Sequence, residues 1–79
     1  MRELVNRKLK GKIIEEGYTQ ESLAAKIGVS RNTLSSKING RFPFNTVEIE
    51  QICQVLHIYD RAELVDIFFQ ASQWDEQRL

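Results

Sequence analysis

Two glycine-to-cap punctuations decide what this chain can fold into. Gly17 is followed two residues later by Thr19, and Gly28 two residues later by Ser30. A glycine ends a helix by taking a left-handed backbone that other residues resist, and a hydroxyl at the next N-cap opens another. The spacing predicts a helix of about two turns between Thr19 and Gly28, with Leu23, Ala24 and Ile27 facing inward. A second short helix is predicted from Ser30 to Asn39-Gly40, carrying Leu34 and Ile38 as an i,i+4 apolar pair. Only Gly28-Val29 separate the first of these helices from the cap of the second, so the two must cross steeply. The result is a helix-turn-helix at about residues 19–39, with Ala24 as the small residue at the close approach and Gly28 making the turn.

Helical signals continue on both sides. Upstream, Val5, Leu9 and Ile13 recur at helical spacing, with Ile14 beside the stripe, through a Lys-rich segment that ends at Gly17. Gly11 interrupts that segment, and a closely approaching backbone is the expected reason for a glycine there. Downstream, Asn45 and Glu48 form a capping box for a helix whose Ile49, Ile52, Cys53 and Leu56 share a face and which ends near His57. Asp60 and Glu63 repeat the signal for a last helix, expected at about residues 60–74, with Leu64, Ile67, Phe68 and Ala71 inward. No segment shows the sustained two-residue alternation of strands and no longer period recurs. The expected fold is all-α, five helices in a single domain spanning residues 1–79.

Composition narrows the function. A chain of 79 residues sits near the size where one core is barely sufficient, so sharing apolar surface with a partner is expected. The lone Cys53 lies on an apolar stripe and reads as a buried core thiol in a reducing compartment. No wholly apolar run, such as Ile67 to Phe69, exceeds three residues, so neither a membrane span nor a secretory signal is expected, and the cytoplasm is the expected location. The sole histidine, His57, builds no metal site, Glu15 and Glu16 do not share a helix face, and no phosphate-binding glycine loop is present. An enzyme, a cofactor and a small-molecule substrate are therefore not expected. Charge divides the chain: through Val47 nine Lys and Arg stand against four Glu, a net of +5, and from Glu48 onward two Arg stand against seven acids, a net of −5. Either the first half faces a polyanion or both halves are solvated helix faces.

The residues around the turn carry more than composition does. Thr19-Gln20, Leu23-Ala24, Lys26-Ile27-Gly28-Val29-Ser30 and Asn39-Gly40 stand at spacings that closely resemble the Xre or lambda-repressor-like helix-turn-helix family, the Cro and C-repressor type. The resemblance runs from about Leu9 to Ile58, and Lys37-Ile38-Asn39-Gly40 with Phe42-Pro43-Phe44 looks most like small phage-type regulators. It implies a sequence-specific transcriptional regulator of double-stranded DNA, a repressor binding its operator as a homodimer in the bacterial cytoplasm, on the nucleoid when bound. The second motif helix is then expected in the major groove, with its N-terminal side chains on base edges. Arg31 would donate twice to guanine, Asn32 would pair with adenine, Ser36 would be third, and Thr33 and Ser35 would add weaker contacts. The resemblance further implies that Gln20 grips a phosphate, with Lys37, Asn39 and Arg41 on the backbone at the far end. One departure stands out: the family usually places an apolar residue two before Asn-Gly and a polar one just before it, whereas Lys37-Ile38 reverse that order. That reversal implies a rotated or tightened end to the helix.

The remaining polar residues read as structural. Thr19 and Ser30 are helix caps, Lys8, Lys10 and Lys12 a solvated face, and His57 a residue suited to a helix C-terminus. Val65, Phe69 and Trp74, together with Phe68, offer more apolar area than a five-helix core needs, so part of the last helix is expected to form the dimer contact. The alternative folds Trp74 and Phe68 back over the core. Two other functions share this fold, an antitoxin-like module that clasps a toxin and a pure protein-interaction domain.

Overall fold

Five cap residues set the helix starts. The structure is a computed structural model that describes residues 5–69, and it contains α1 (Arg7–Glu15), α2 (Gln20–Ile27), α3 (Arg31–Ile38), α4 (Thr46–Val55) and α5 (Arg61–Phe68), with no strand among the described residues. Thr19 Oγ1 accepts from the Ser22 N–H at 3.0 Å and Ser22 Oγ returns the bond to Thr19, a reciprocal box. Asn45 and Glu48 form the same box at α4, and Ser30 and Asp60 cap α3 and α5 through the N–H groups of Thr33 and Glu63. The fifth cap is Asn6, not expected from the sequence: its Oδ1 accepts from the Leu9 N–H at 2.9 Å and opens α1. Val5 therefore stands before the helix, half-buried, and is not the first residue of its stripe.

The core is drawn from all five helices. Leu9 and Ile13 of α1, Leu23, Ala24 and Ile27 of α2, Leu34 and Ile38 of α3, Ile52 and Cys53 of α4, and Ile67 of α5 are buried with Leu56 and Ile58. α2 is the hub, packed against α1, α3 and α4, while α5 closes on α1. Ile49 and Leu64 only flank this core, and Ile14 is 73% exposed, outside it. His57 follows α4 with φ 61, the left-handed geometry that glycine supplies elsewhere. The Ile58 N–H reaches back to the Cys53 carbonyl at 2.8 Å and so seats Ile58 in the core.

A Cβ built on Gly11 meets nothing within 4 Å, so no neighbouring backbone requires a glycine in α1. α5 closes at Phe68, and Phe69 leaves the helix at φ −130 and ψ 66, so an unbroken helix to about residue 74 does not form. Two adjacent aromatics are weak helix formers, and Phe68 turns inward to meet Phe44 edge-on at 5.6 Å. Ala71 and Trp74 lie outside the described residues.

Asn6 makes two further bonds that no local pattern reveals. Its backbone N–H donates to the Ile38 carbonyl at 2.8 Å, and its Nδ2 donates to the Ile67 carbonyl at 2.8 Å. Asn6→Ala removes the cap and the Ile67 bond together and is expected to cost about 1–3 kcal/mol, read as a lower denaturant midpoint with an unchanged slope. A cost within ~0.5 kcal/mol, the size of an ordinary surface change, would refute that role. Gly11→Ala should act oppositely, stabilising by about 0.5–1 kcal/mol and raising Tm by several degrees. A lowered Tm would show that the glycine is needed.

Candidate nucleic-acid interface

The α2–α3 turn sets the direction in which α3 points. Gly28 takes φ 80, and the following Val29 N–H donates to the Ala24 carbonyl at 3.0 Å, folding the chain back over the end of α2. Nothing crowds a Cβ built at Gly28, so its backbone conformation and not a close approach requires glycine there. Val29 packs on the core and Ser30 caps the next helix, completing the joint in three residues.

Leu34 and Ile38, both buried, fix which way α3 faces. Arg31, Asn32 and Thr33 are exposed on its first turn, and Ser35 and Ser36 are half-exposed one turn on. Asn32, Ser36 and Asn39 follow one another at helical spacing. The Thr33 hydroxyl accepts from Ser30 Oγ at 2.9 Å, so it is partly engaged in the cap. Gln20 is half-exposed at the first position of α2, and Asn39 and Arg41 are exposed beyond α3. The expected base-facing residues are thus gathered on one helix, and Gln20, Asn39 and Arg41 lie at the ends of the two-helix unit.

Lys37 is placed differently from expectation. Its Nζ lies 2.7 Å from Glu48 Oε1 and 2.6 Å from Oε2, and its side chain is only 16% exposed. The ammonium expected at a phosphate is therefore bound within the protein, at a residue whose own burial is nearly complete. The reversed Lys37-Ile38 order has a physical reason: Ile38 fills the core, which turns Lys37 toward the start of α4. Burial pushes the Glu48 carboxyl up, but the Lys37 ammonium and the Asn45 N–H together bring it below the usual carboxylate value.

The solvated face expected on α1 is likewise spent in part. Lys8 pairs with Asp66 at 3.0 Å, and Lys12 pairs with Glu63 at 3.1 Å and with Glu16 at 3.5 Å. The Glu63 bond holds the Lys12 pKa up. Glu16 in turn meets His57 Nδ1 at 3.0 Å, and that hydrogen bond, with the nearby Lys12 charge, lowers its carboxyl. Among the described residues Lys26, Arg31 and Arg41 make no ion pair, so basic charge is left open on α2, at the start of α3 and just beyond its end. Cys53 is buried, and burial with the Glu63 charge pushes its thiol up, away from reactivity.

On α5 and just beyond it, Val65 is 45% exposed and Phe69 40% exposed. With Arg61, Ala62 and Asp66 they line a shallow apolar depression along α5. Trp74, expected beside them, lies outside the described residues.

The family model described as "Protein of unknown function (DUF739)" matches residues 5–71. No curated protein and no solved structure matches the chain. None of the described helices is long and apolar enough to cross a membrane.

The Lys37–Glu48 pair has a pH signature. A carboxyl held below its ordinary value of about 4.3 stabilises the fold fully above that pH and loses its contribution as pH falls through the lower folded value. Glu48→Gln is expected to cost about 1–3 kcal/mol at neutral pH and to flatten the loss of stability on acidification. Denaturant midpoints measured from pH 7 downward check this, and acid limbs of equal steepness in the two proteins would remove Glu48 from the linkage.

Proposed function

We propose that this chain, which belongs to the DUF739 family, is a sequence-specific double-stranded DNA-binding regulator that reads bases with the first turn of α3. The observation that carries this reading is the exposed Arg31-Asn32-Thr33 turn, held outward by the buried Leu34 and Ile38 and joined to α2 by the Gly28 turn. Arg31 offers the forked donor that matches guanine O6 and N7, and Asn32 the amide that matches adenine N6 and N7. Ser36 follows Asn32 one turn later, Ser35 and the cap-engaged Thr33 contribute less, and Gln20, Asn39 and Arg41 take phosphates that set register. The resemblance to Xre and lambda-repressor-like proteins supports the same docking and adds the phage-type repressor role, with action in the cytoplasm.

Val65 and Phe69 supply apolar area for a twofold dimer, which would place two α3 helices on successive major-groove half-sites. The same exposed strip favours the second reading, a module whose partner is another protein.

Selection of bound sequences from a random duplex pool, followed by a salt series, separates the two. A palindromic winner whose affinity falls steeply with salt is expected for the regulator, and no enrichment is expected for the protein-interaction module. Arg31→Ala should weaken binding to the winner by about 1–3 kcal/mol and relax preference at one base pair. An equal loss on every sequence would remove Arg31 from base readout.

A further inference from the structure

We infer that Glu48 is a positioning residue for α3 and that Lys37 acts through it instead of touching DNA, an inference that rests on the reading of α3 as the base-reading helix. Glu48 is the one charged side chain that is buried among the described residues. Its Oε1 accepts from the Asn45 N–H at 3.0 Å while the Glu48 N–H donates to Asn45 Oδ1 at 2.8 Å. The carboxylate is therefore pinned to the backbone at the start of α4 before it meets Lys37. Both of its oxygens then accept from Lys37 Nζ, on the last turn of α3. α3 and α4 each pack on α2, and the two are not among the closely packed helix pairs, so this bond is a direct strut between them.

A second hold lies one residue along, where the Ile38 carbonyl accepts from the Asn6 N–H at 2.8 Å. Two adjacent anchors on its last turn fix both the rotation and the tilt of α3. An eight-residue helix is about 12 Å long, so a tilt of roughly 10° about the anchored end moves the Arg31 end by roughly 2 Å. That displacement exceeds what a bidentate base contact tolerates. Glu48 thus governs residues at the opposite end of the helix without approaching a base.

The two possible roles of Lys37 predict opposite signs. If Lys37 binds phosphate, Glu48→Gln releases its ammonium, and duplex affinity rises with a steeper salt dependence. If the pair positions α3, Glu48→Gln lowers affinity for the selected sequence and leaves the salt slope as it was. The side-chain amide introduced by Glu48→Gln still offers an oxygen to the Asn45 N–H, which preserves the capping box.

The test uses the full chain with Glu48→Gln, Lys37→Met and the double variant, each bound to the selected duplex and to an unselected one across a salt series. Amide exchange is followed in parallel at Asn39, Gly40 and Arg41, with Leu23 of α2 as the internal reference. Each single variant should lose about five- to thirtyfold on the selected duplex with little change on the unselected one, and the double should be no worse than the weaker single. Exchange should accelerate more at the end of α3 than at Leu23, whose change reports the global loss of stability alone. Tighter binding by Glu48→Gln, a salt slope about one smaller for Lys37→Met, or additive losses would overturn the inference. If the unmodified chain binds no duplex in a salt-dependent way, the DNA reading fails and exchange alone decides the strut, with unchanged exchange at Asn39, Gly40 and Arg41 overturning it.

Discussion

Three helix ends meet at Asn6. Its side-chain oxygen satisfies the first turn of α1, its backbone N–H satisfies the last carbonyl of α3, and its amide nitrogen donates to Ile67 near the end of α5. Helix C-termini leave carbonyls unpaired, and inside a protein each must find a donor. One residue answers that demand for two helices that share no loop. The consequence is geometric: α3, with its exposed polar turn, and α5, with its exposed Val65 and Phe69, are both referenced to the entry of α1. A shift of either helix must be accommodated at the other or break a bond at Asn6.

The charge asymmetry of the chain has an internal use. Lys8–Asp66, Lys12–Glu63 and Lys37–Glu48 each join a base from the basic half to an acid from the acidic half. Exposed pairs of the Lys8–Asp66 kind contribute little, typically about 0–1 kcal/mol, and serve to orient α5 on α1 more than to hold it. Lys37–Glu48 differs because both side chains are largely withdrawn from water, where losing one partner leaves the other charge stranded. What the sequence presents as a basic face is thus partly neutralised, and the bases left open lie on α2, at the start of α3 and just beyond its end.

Local signals were legible and long-range ones were not. The caps Thr19, Ser30, Asn45 and Asp60, the turn at Gly28 and the inward faces of α2 and α3 follow from short-range chemistry, and the structure has each of them. Arg31, Asn32 and Thr33 were legible as an exposed turn because the apolar pair Leu34 and Ile38 dictates its orientation. Asn6 as a cap was readable in principle, since asparagine favours that position, but its bond to Ile67 spans 61 residues and leaves no periodic trace. The partner of Lys37 was hidden for the same reason: it lies on another helix, and the only local hint was the reversed order of Lys37 and Ile38. The stop of α5 at Phe68 carries no glycine or proline to announce it.

α3 explains why such distant holds are needed. Its sequence, RNTLSSKI, contains Asn, Thr and two Ser, residues that compete with their own backbone for hydrogen bonds and favour caps over helix interiors. Eight residues of that composition would not hold a helix in water. The helix exists because Ser30 caps it, Leu34 and Ile38 bury its inner side, Asn6 takes its last carbonyl and Glu48 holds Lys37. Every one of these supports lies on its inner side or at its ends. The exposed positions of its first turn are left with no structural duty beyond Thr33's share in the cap. On the proposed reading this separation is what a base-reading helix requires: Arg31 and Asn32 can be chosen by the operator, because stability has been assigned to residues that never face it.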